Sequence, residues 1–251
     1  KFDAAPKPGP DEAELEKMTT VAVDSMKKHL NSMQLERGIA DALENHGVAT
    51  VGPTKAAAQL ETNKEYTRDL MRDYGVPGLP AYWAFDSYGP FSEFVLDSDF
   101  EFVIKPLGLT GGKGVRVWGD HFSSKEGALA YGREILEKRI GGQTRFLVEE
   151  KLVGEEFSLQ ALCDGKRLVP CPLAQDHKRA YEGDRGPNTG GMGAVSPSPF
   201  MTEKLFHEVM NTVIHPAVTR MLEEGRKFRG VLYPGPIGTE KGPFVRESTG
   251  R

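Results

Sequence analysis

Residues 102–118 read FVIKPLGLTGGKGVRVW, and the fold turns on what this stretch is. Phe102, Val103 and Ile104 form an apolar run that ends in Lys105. A loop with four glycines, Gly108, Gly111, Gly112 and Gly114, then carries a second lysine, Lys113. Beyond it, Val115 and Val117 alternate with Arg116 and Trp118, the period of a strand. A strand on each side excludes two familiar phosphate loops. Walker A requires G-x-x-x-x-G-K-[ST] before a helix, whereas Lys113 is followed by Gly114 and Leu107 stands five before Gly112. The dinucleotide fingerprint G-x-G-x-x-G also opens a helix, and that spacing does not occur.

Two readings of the loop stay open on its residues alone. It is a hairpin loop with surface lysines, or its backbone N–H groups and lysines cradle an anion. Lys105 weighs toward the second. It ends a run whose neighbours should be buried, where an ammonium is costly without a counter-charge. The sequence offers it no protein partner, so an anion such as phosphate is the expected one.

Composition sets the frame. The chain has 251 residues, enough for one large or two small domains. Hydrophobic residues make up 38% and charged residues 27%, the balance of a globular protein with a core. A formal net charge of -4 gives no basic excess for a nucleic-acid partner. No apolar run reaches the ~18 residues of a membrane span, and the leading KFDAAPKPGPDEAELEK lacks the apolar core of a signal peptide. Cys163 and Cys171 flank an Asp164-Gly165 turn. A tight hairpin there sets Cys163 opposite Lys166, which argues against a disulfide and for a cytoplasmic location.

Residues 1–12 read as a disordered lead-in, and 14–46 as helical with a break near His29 to Asn31. A strand over 48–51 and helices over 55–60 and 63–74 follow. Strands are expected at 82–85, 101–105, 115–118 and 145–148, with a helix over 124–138. Next come a hairpin, 156–163 with 167–173, and a long polar loop, 174–199. A helix over 202–224, kinked at Pro216, leads to strands at 231–233 and 243–247. Blocks of helix and strand make the class α+β.

Two further clusters carry chemistry. LVEEKLVGEEFSL (147–159) holds four glutamates in eight positions. Such a run is a solvated face, or Glu156, inside a strand-like pattern, accepts from the hydroxyls of a ribose. The backbone near Lys151 and Leu152 could read an adenine edge. QDHKRAYEGDRGPNTGGMG (175–193) is a mobile solvated loop or a functional one. Asp176 and His177 alone are a weak metal signal, because no third ligand has a recognisable spacing.

Taken in order, GPTKAAAQLETNKEYTRDLM (52–71), VIKPLGLTGGKGV (103–115), VEEKLVGEEFSL (148–159) and AQDHKRAYEGDRGPNTGGMGAVSPSP (174–199) resemble the ATP-grasp ligases, and within them the glycinamide ribonucleotide synthetases. The resemblance implies an ATP-grasp fold of two α+β subdomains with nucleotide between them. It divides the chain into a non-family lead (1–35), a linking remnant (36–75), a small lid subdomain (76–148) and a large subdomain (149–251). It implies that Lys105, Gly111, Gly112, Lys113 and Gly114 hold ATP phosphates, that Glu149, Lys151 and Leu152 form the adenine hinge, and that Glu156 takes the ribose. Asp176, His177, Lys178, Asn188, Thr189 and Gly190 would line the side of the substrates, glycine and 5-phosphoribosylamine. Glu247 and Thr249 would bind Mg²⁺ or Mn²⁺, Thr249 standing where the family has asparagine. Against the family the chain looks truncated at both ends, so a partner chain is one source of the missing domains. The alternatives are a fragment that binds nucleotide without turnover and another ATP-grasp carboxylate–amine ligase.

Overall fold

The computed structural model describes residues 37–250 except 109, 111–113, 184, 190, 199–201 and 241, and the backbone alone at 179, 187–188 and 246–250. The expected lead-in and most of the first helix lie outside the described residues. What remains of that helix is α1 (Ile39–Asn45). Residues 48–51 form no strand, and Val51 is 85% exposed. A short apolar run gains nothing from extending where no neighbouring strand takes up its backbone groups. The helix expected over 55–60 forms later, as α2 (Gln59–Thr62). Helix α3 (Lys64–Asp73) follows at once, its N-cap Asn63 accepting from Tyr66 N.

Four strands then build a small sheet. They are β1 (Tyr82–Phe85), β2 (Phe102–Pro106), β3 (Arg116–Val117) and β4 (Phe146–Glu150), paired antiparallel in the order β1-β4-β2-β3. Helices α4 (Tyr88–Asp97) and α5 (Lys125–Lys138) belong to the same layer. Phe91, Val95, Phe102, Ile104, Ala128, Ile135, Phe146 and Val148 form their shared core. Helix α4 was not expected. Ser87, Gly89 and Pro90 read as turn residues, yet proline is tolerated in the first helical turn, where its missing N–H has no partner to lose.

The second layer is a five-stranded sheet ordered β13-β12-β6-β7, with β5 also on β12. Its strands are β5 (Glu155–Glu156), β6 (Ala161–Cys163), β7 (Leu168–Pro170), β12 (Gly230–Thr239) and β13 (Gly242–Gly250). The hairpin register sets Cys163 opposite Leu168, not Lys166, so the turn is longer than expected. Both cysteines are free, as expected. The polar loop after β7 is not wholly irregular. It pairs β8 (Gln175–Asp176) with β11 (Ala194–Val195), and β9 (Arg179–Tyr181) with β10 (Arg185–Asn188).

The helix expected over 202–224 is divided. Helix α6 (Glu203–Val209), capped by Thr202, runs into a π-helical turn (Met210–Ile214), then α7 (His215–Glu223) with Pro216 in its first turn. A proline ring clashes with the carbonyl four residues back, and widening the preceding turn relieves that clash. The helices pack on the sheet through Phe157, Leu159, Val213, Ile214, Met221 and Phe228. Leu70 and Met71 of α3 belong to this larger core too.

Candidate active site

A cleft opens between β5, β8 and β12. Glu156, Phe157, Ser158, Asp176, Lys178, Tyr233, Gly235 and Pro236 line it. Its walls follow from local pairing. Glu156 faces Ile237, and Glu155 faces Gly238. Gly154 permits the approach, because a Cβ there would lie 2.0 Å from the Gly238 carbonyl oxygen. Ser158 and Ala174 exchange two backbone hydrogen bonds, of 2.6 and 3.0 Å, which hold the start of β8 against β5.

Pro234 and Pro236 remove two ladder donors from β12. The strand nevertheless runs through both, and its register against β13 shifts between Gly235 and Pro236. A bulge absorbs the missing donors, and the Pro236 carbonyl still accepts from Phe157 N at 3.2 Å.

The cleft gathers Glu156, Asp176 and Lys178, with Lys178 Nζ 3.8 Å from Glu156 Oε2. Two residues unforeseen in the sequence join them. The Ser158 and Tyr233 hydroxyls lie 2.5 Å apart. Ser158 follows the glutamate run and so carried a weak signal, whereas Tyr233 is 75 residues away in sequence and carried none. His177 is exposed beside the cleft, its amide on Gly193 O and its carbonyl accepting from Met192 N. Thr189 N and Oγ1 both donate to Lys178 O, which folds the Asn188–Thr189 segment back on the lysine.

Lys105 is not left for an external anion alone. Its Nζ lies 2.6 Å from Glu149 Oε2, both side chains being buried. Strands β2 and β4 set these side chains close together, with Lys105 opposite Leu147 and Val103 opposite Glu149. Arg68 of α3 grips the same carboxylate with two bonds, Nε to Oε1 at 3.0 Å and Nη2 to Oε2 at 2.9 Å. Burial alone would push the Glu149 carboxyl up. The Arg68 and Lys105 charges outweigh burial and hold it at about 2.

The rest of the expected hinge is tied down by other contacts. Lys151 Nζ pairs with Glu101 Oε2 at 2.8 Å, and Lys151 N donates to Glu101 O. Leu152 is half-buried.

The roots of the glycine loop are anchored on both sides. Gly108 sits at φ +81°, and a Cβ there would come 2.3 Å from Gly141 O. Gly141 is likewise at φ +81°, 2.2 Å from Leu107 O by the same measure. Lys64 Nζ donates to Pro106 O and Gly108 O at 3.1 and 3.0 Å. At the far root, Tyr131 OH donates to Gly114 O, and Gly114 N donates to Thr110 Oγ1. Gly111, Gly112, Lys113 and Gly190 lie outside the described residues, as do the side chains of Asn188, Glu247 and Thr249.

The backbone of β13 still places the last two. Glu247 is opposite Gly235 and Thr249 opposite Tyr233, both partners lining the cleft. Among the described residues, no group of three or more His, Cys, Asp or Glu side chains could hold a metal, and no helix is long and apolar enough to cross a membrane.

Comparison with known proteins bears on the same residues. The family described as phosphoribosylglycinamide synthetase, ATP-grasp (A) domain, matches residues 62–251. A phosphoribosylamine–glycine ligase of Methanothermobacter thermautotrophicus is 44% identical over 86% of this chain and 50% of its own length. That of Thermococcus kodakarensis is 45% identical over 79% of this chain and 46% of its own. The chain thus spans about half the length of these relatives. The crystal structure of phosphoribosylamine–glycine ligase from Thermotoga maritima superposes with a TM-score of 0.69 at 31% identity, over 79% of this chain and 50% of that one. D-alanyl-alanine synthetase A of Vibrio cholerae, at 14% identity and a TM-score of 0.63 over 85% and 62% of the two chains, shares the fold. The α+β fold is therefore ATP-grasp, and the chain belongs to the phosphoribosylglycinamide synthetase ATP-grasp (A) domain family.

Proposed function

We propose that the chain carries the ATP-grasp core of a phosphoribosylamine–glycine ligase. The reaction joins glycine to 5-phosphoribosylamine through glycyl phosphate and yields glycinamide ribonucleotide, ADP and phosphate. The observation that carries the reading is the convergence of Glu156, Asp176 and Lys178 on one cleft, beside the β13 positions of Glu247 and Thr249. The relatives' names give the substrates.

In this reading the nucleotide lies between the small subdomain (76–148) and the large one (149–251). Lys105 and the loop of Gly111 to Gly114 with Lys113 face its phosphates. Glu149, Lys151 and Leu152 shape the hinge for the base, and Glu156 accepts from the ribose hydroxyls. Glu247 and Thr249 offer hard oxygen donors, which suit Mg²⁺ or Mn²⁺. Such an ion, when bound, would neutralise charge on the phosphate oxygens.

The chemistry proceeds in two steps. A glycine carboxylate oxygen bonds to the γ-phosphorus while the bond to ADP breaks. The amine of 5-phosphoribosylamine then attacks the acyl carbon, phosphate leaves, and the amine gives up a proton. The protein's work is positioning and charge neutralisation. Lys178 balances the anionic side of the substrates. Asp176 and the Asn188–Gly190 segment, with its backbone N–H groups, orient the amine and the acyl phosphate.

A coupled ADP-release assay of this chain tests the proposal. Release with glycine and 5-phosphoribosylamine should exceed release with ATP alone. Equal release would defeat turnover by this chain and leave the nucleotide-binding reading, which calorimetry with Mg-ATP measures separately.

A further inference from the structure

Helix α3 begins within the 52–71 stretch and runs two residues past it, and the proposed chemistry assigns it no role. Its two faces do different things. Leu70 and Met71 pack in the core of the large sheet. The opposite stripe, at spacings of three and four, meets the small sheet by polar contacts. Lys64 binds the carbonyls of Pro106 and Gly108 at the end of β2. Glu65 takes Arg145 at the start of β4, with Nη2–Oε1 at 2.5 Å. Asp69 accepts from Tyr82 OH of β1 at 2.7 Å, and Arg72 donates to the same hydroxyl.

Arg68 is at the centre of this stripe and is the most enclosed, its side chain 3% exposed. Beyond its two bonds to Glu149, its Nη1 donates to Val245 O of β13 at 2.9 Å. One guanidinium thus links the carboxylate that holds Lys105 to a strand of the other sheet, two residues before Glu247. A planar fork can make these bonds at once, and an ammonium cannot.

We propose that Arg68 is a positioning residue for nucleotide binding: through Glu149 it sets the place of the Lys105 ammonium, and through Val245 it holds β13 in register with it. Arg68 touches no substrate in this scheme. The inference rests on the nucleotide reading of Lys105.

The test is Mg-ATP affinity by calorimetry on the 251-residue chain and on Arg68→Met, Arg68→Lys, Lys105→Met and Arg68→Met/Lys105→Met, with melting curves alongside. Arg68→Met should weaken binding about ten-fold, since one decade is the scale of a strong polar contact. Arg68→Lys should recover part of that loss. Once Lys105 is gone, Arg68→Met should cost little more, because the two act through one carboxylate. A purely structural arginine would instead give additive losses, and that result, or unchanged affinity in Arg68→Met, overturns the inference. Should Arg68→Met fail to fold, Glu149→Gln keeps the shape and one acceptor, and should show the same loss and the same coupling to Lys105. Absence of ATP binding by the unaltered chain overturns the nucleotide reading and this inference together, whereas binding that ignores Arg68 overturns the inference alone.

Discussion

Glu149 pairs with two cations, Arg68 and Lys105, that its neighbours in sequence do not reveal. The family resemblance implies that Glu149 belongs to the adenine hinge and that Lys105 holds phosphate. Their pairing depends on β2 lying against β4, a contact between residues 44 apart. Arg68 is farther still, 81 residues from Glu149, and no local pattern ties a mid-helix arginine to that strand. A buried carboxylate held at about 2, against 4.5 for the free group, contributes stability in one direction of pH only. The folded value is depressed, so the contribution is present above about pH 4.5 and is lost as pH falls through about 2. That interval corresponds to about 3 kcal/mol. Acid titration of stability should therefore fall steeply below pH 4.5 in the wild type. In Glu149→Gln the curve should be lower at neutral pH and flatter across this window. Parallel curves would show that Glu149 does not carry the acid sensitivity.

The elements best read from sequence were those whose period and caps agree. Strand β1 was expected at 82–85 and forms there, and α5 was expected over 124–138 with Ser124 now its N-cap. Residues 48–51 failed as a strand because extended structure requires a partner that sequence does not supply. Strands β8 to β11 were missed because they are short and their pairing is non-local.

Two predictions belong to this scale. Asn63→Ala removes the side chain that accepts from Tyr66 N, and should destabilise α3 by about 1 kcal/mol. Urea titration would register this as a lower midpoint with an unchanged slope. Gly132 of α5 faces α4 so closely that a Cβ would come 2.1 Å from Cε1 of the buried Phe91. Gly132→Ala should thus cost about 1–3 kcal/mol through overpacking, despite alanine's better helix propensity. A stabilised Gly132→Ala variant would mean that Phe91 moves aside freely.

At the scale of the molecule, two apolar cores meet through a mostly polar seam. The small sheet and the large sheet each bury their own cluster, and α3 lies between, apolar toward one and charged toward the other. The ATP-grasp family was legible from the order of four motifs. The cleft was legible only in part, since Ser158 and Tyr233 reach it by tertiary pairing.

A ligand that binds between two such bodies stabilises both, whereas one that binds a single body leaves the other unchanged. Hydrogen exchange with and without Mg-ATP separates these cases. Protection should rise in β2 around Lys105, and also in β5, β8 and β12 around the cleft. At a hundred-fold excess over Kd the added stability should be about 2.7 kcal/mol. The seam itself should change least, because Arg68, Glu149 and Val245 are already bonded without nucleotide. Protection confined to the small sheet would place the nucleotide on the glycine loop alone. It would separate the cleft of Glu156, Asp176 and Lys178 from ATP and leave that cleft to the other substrates.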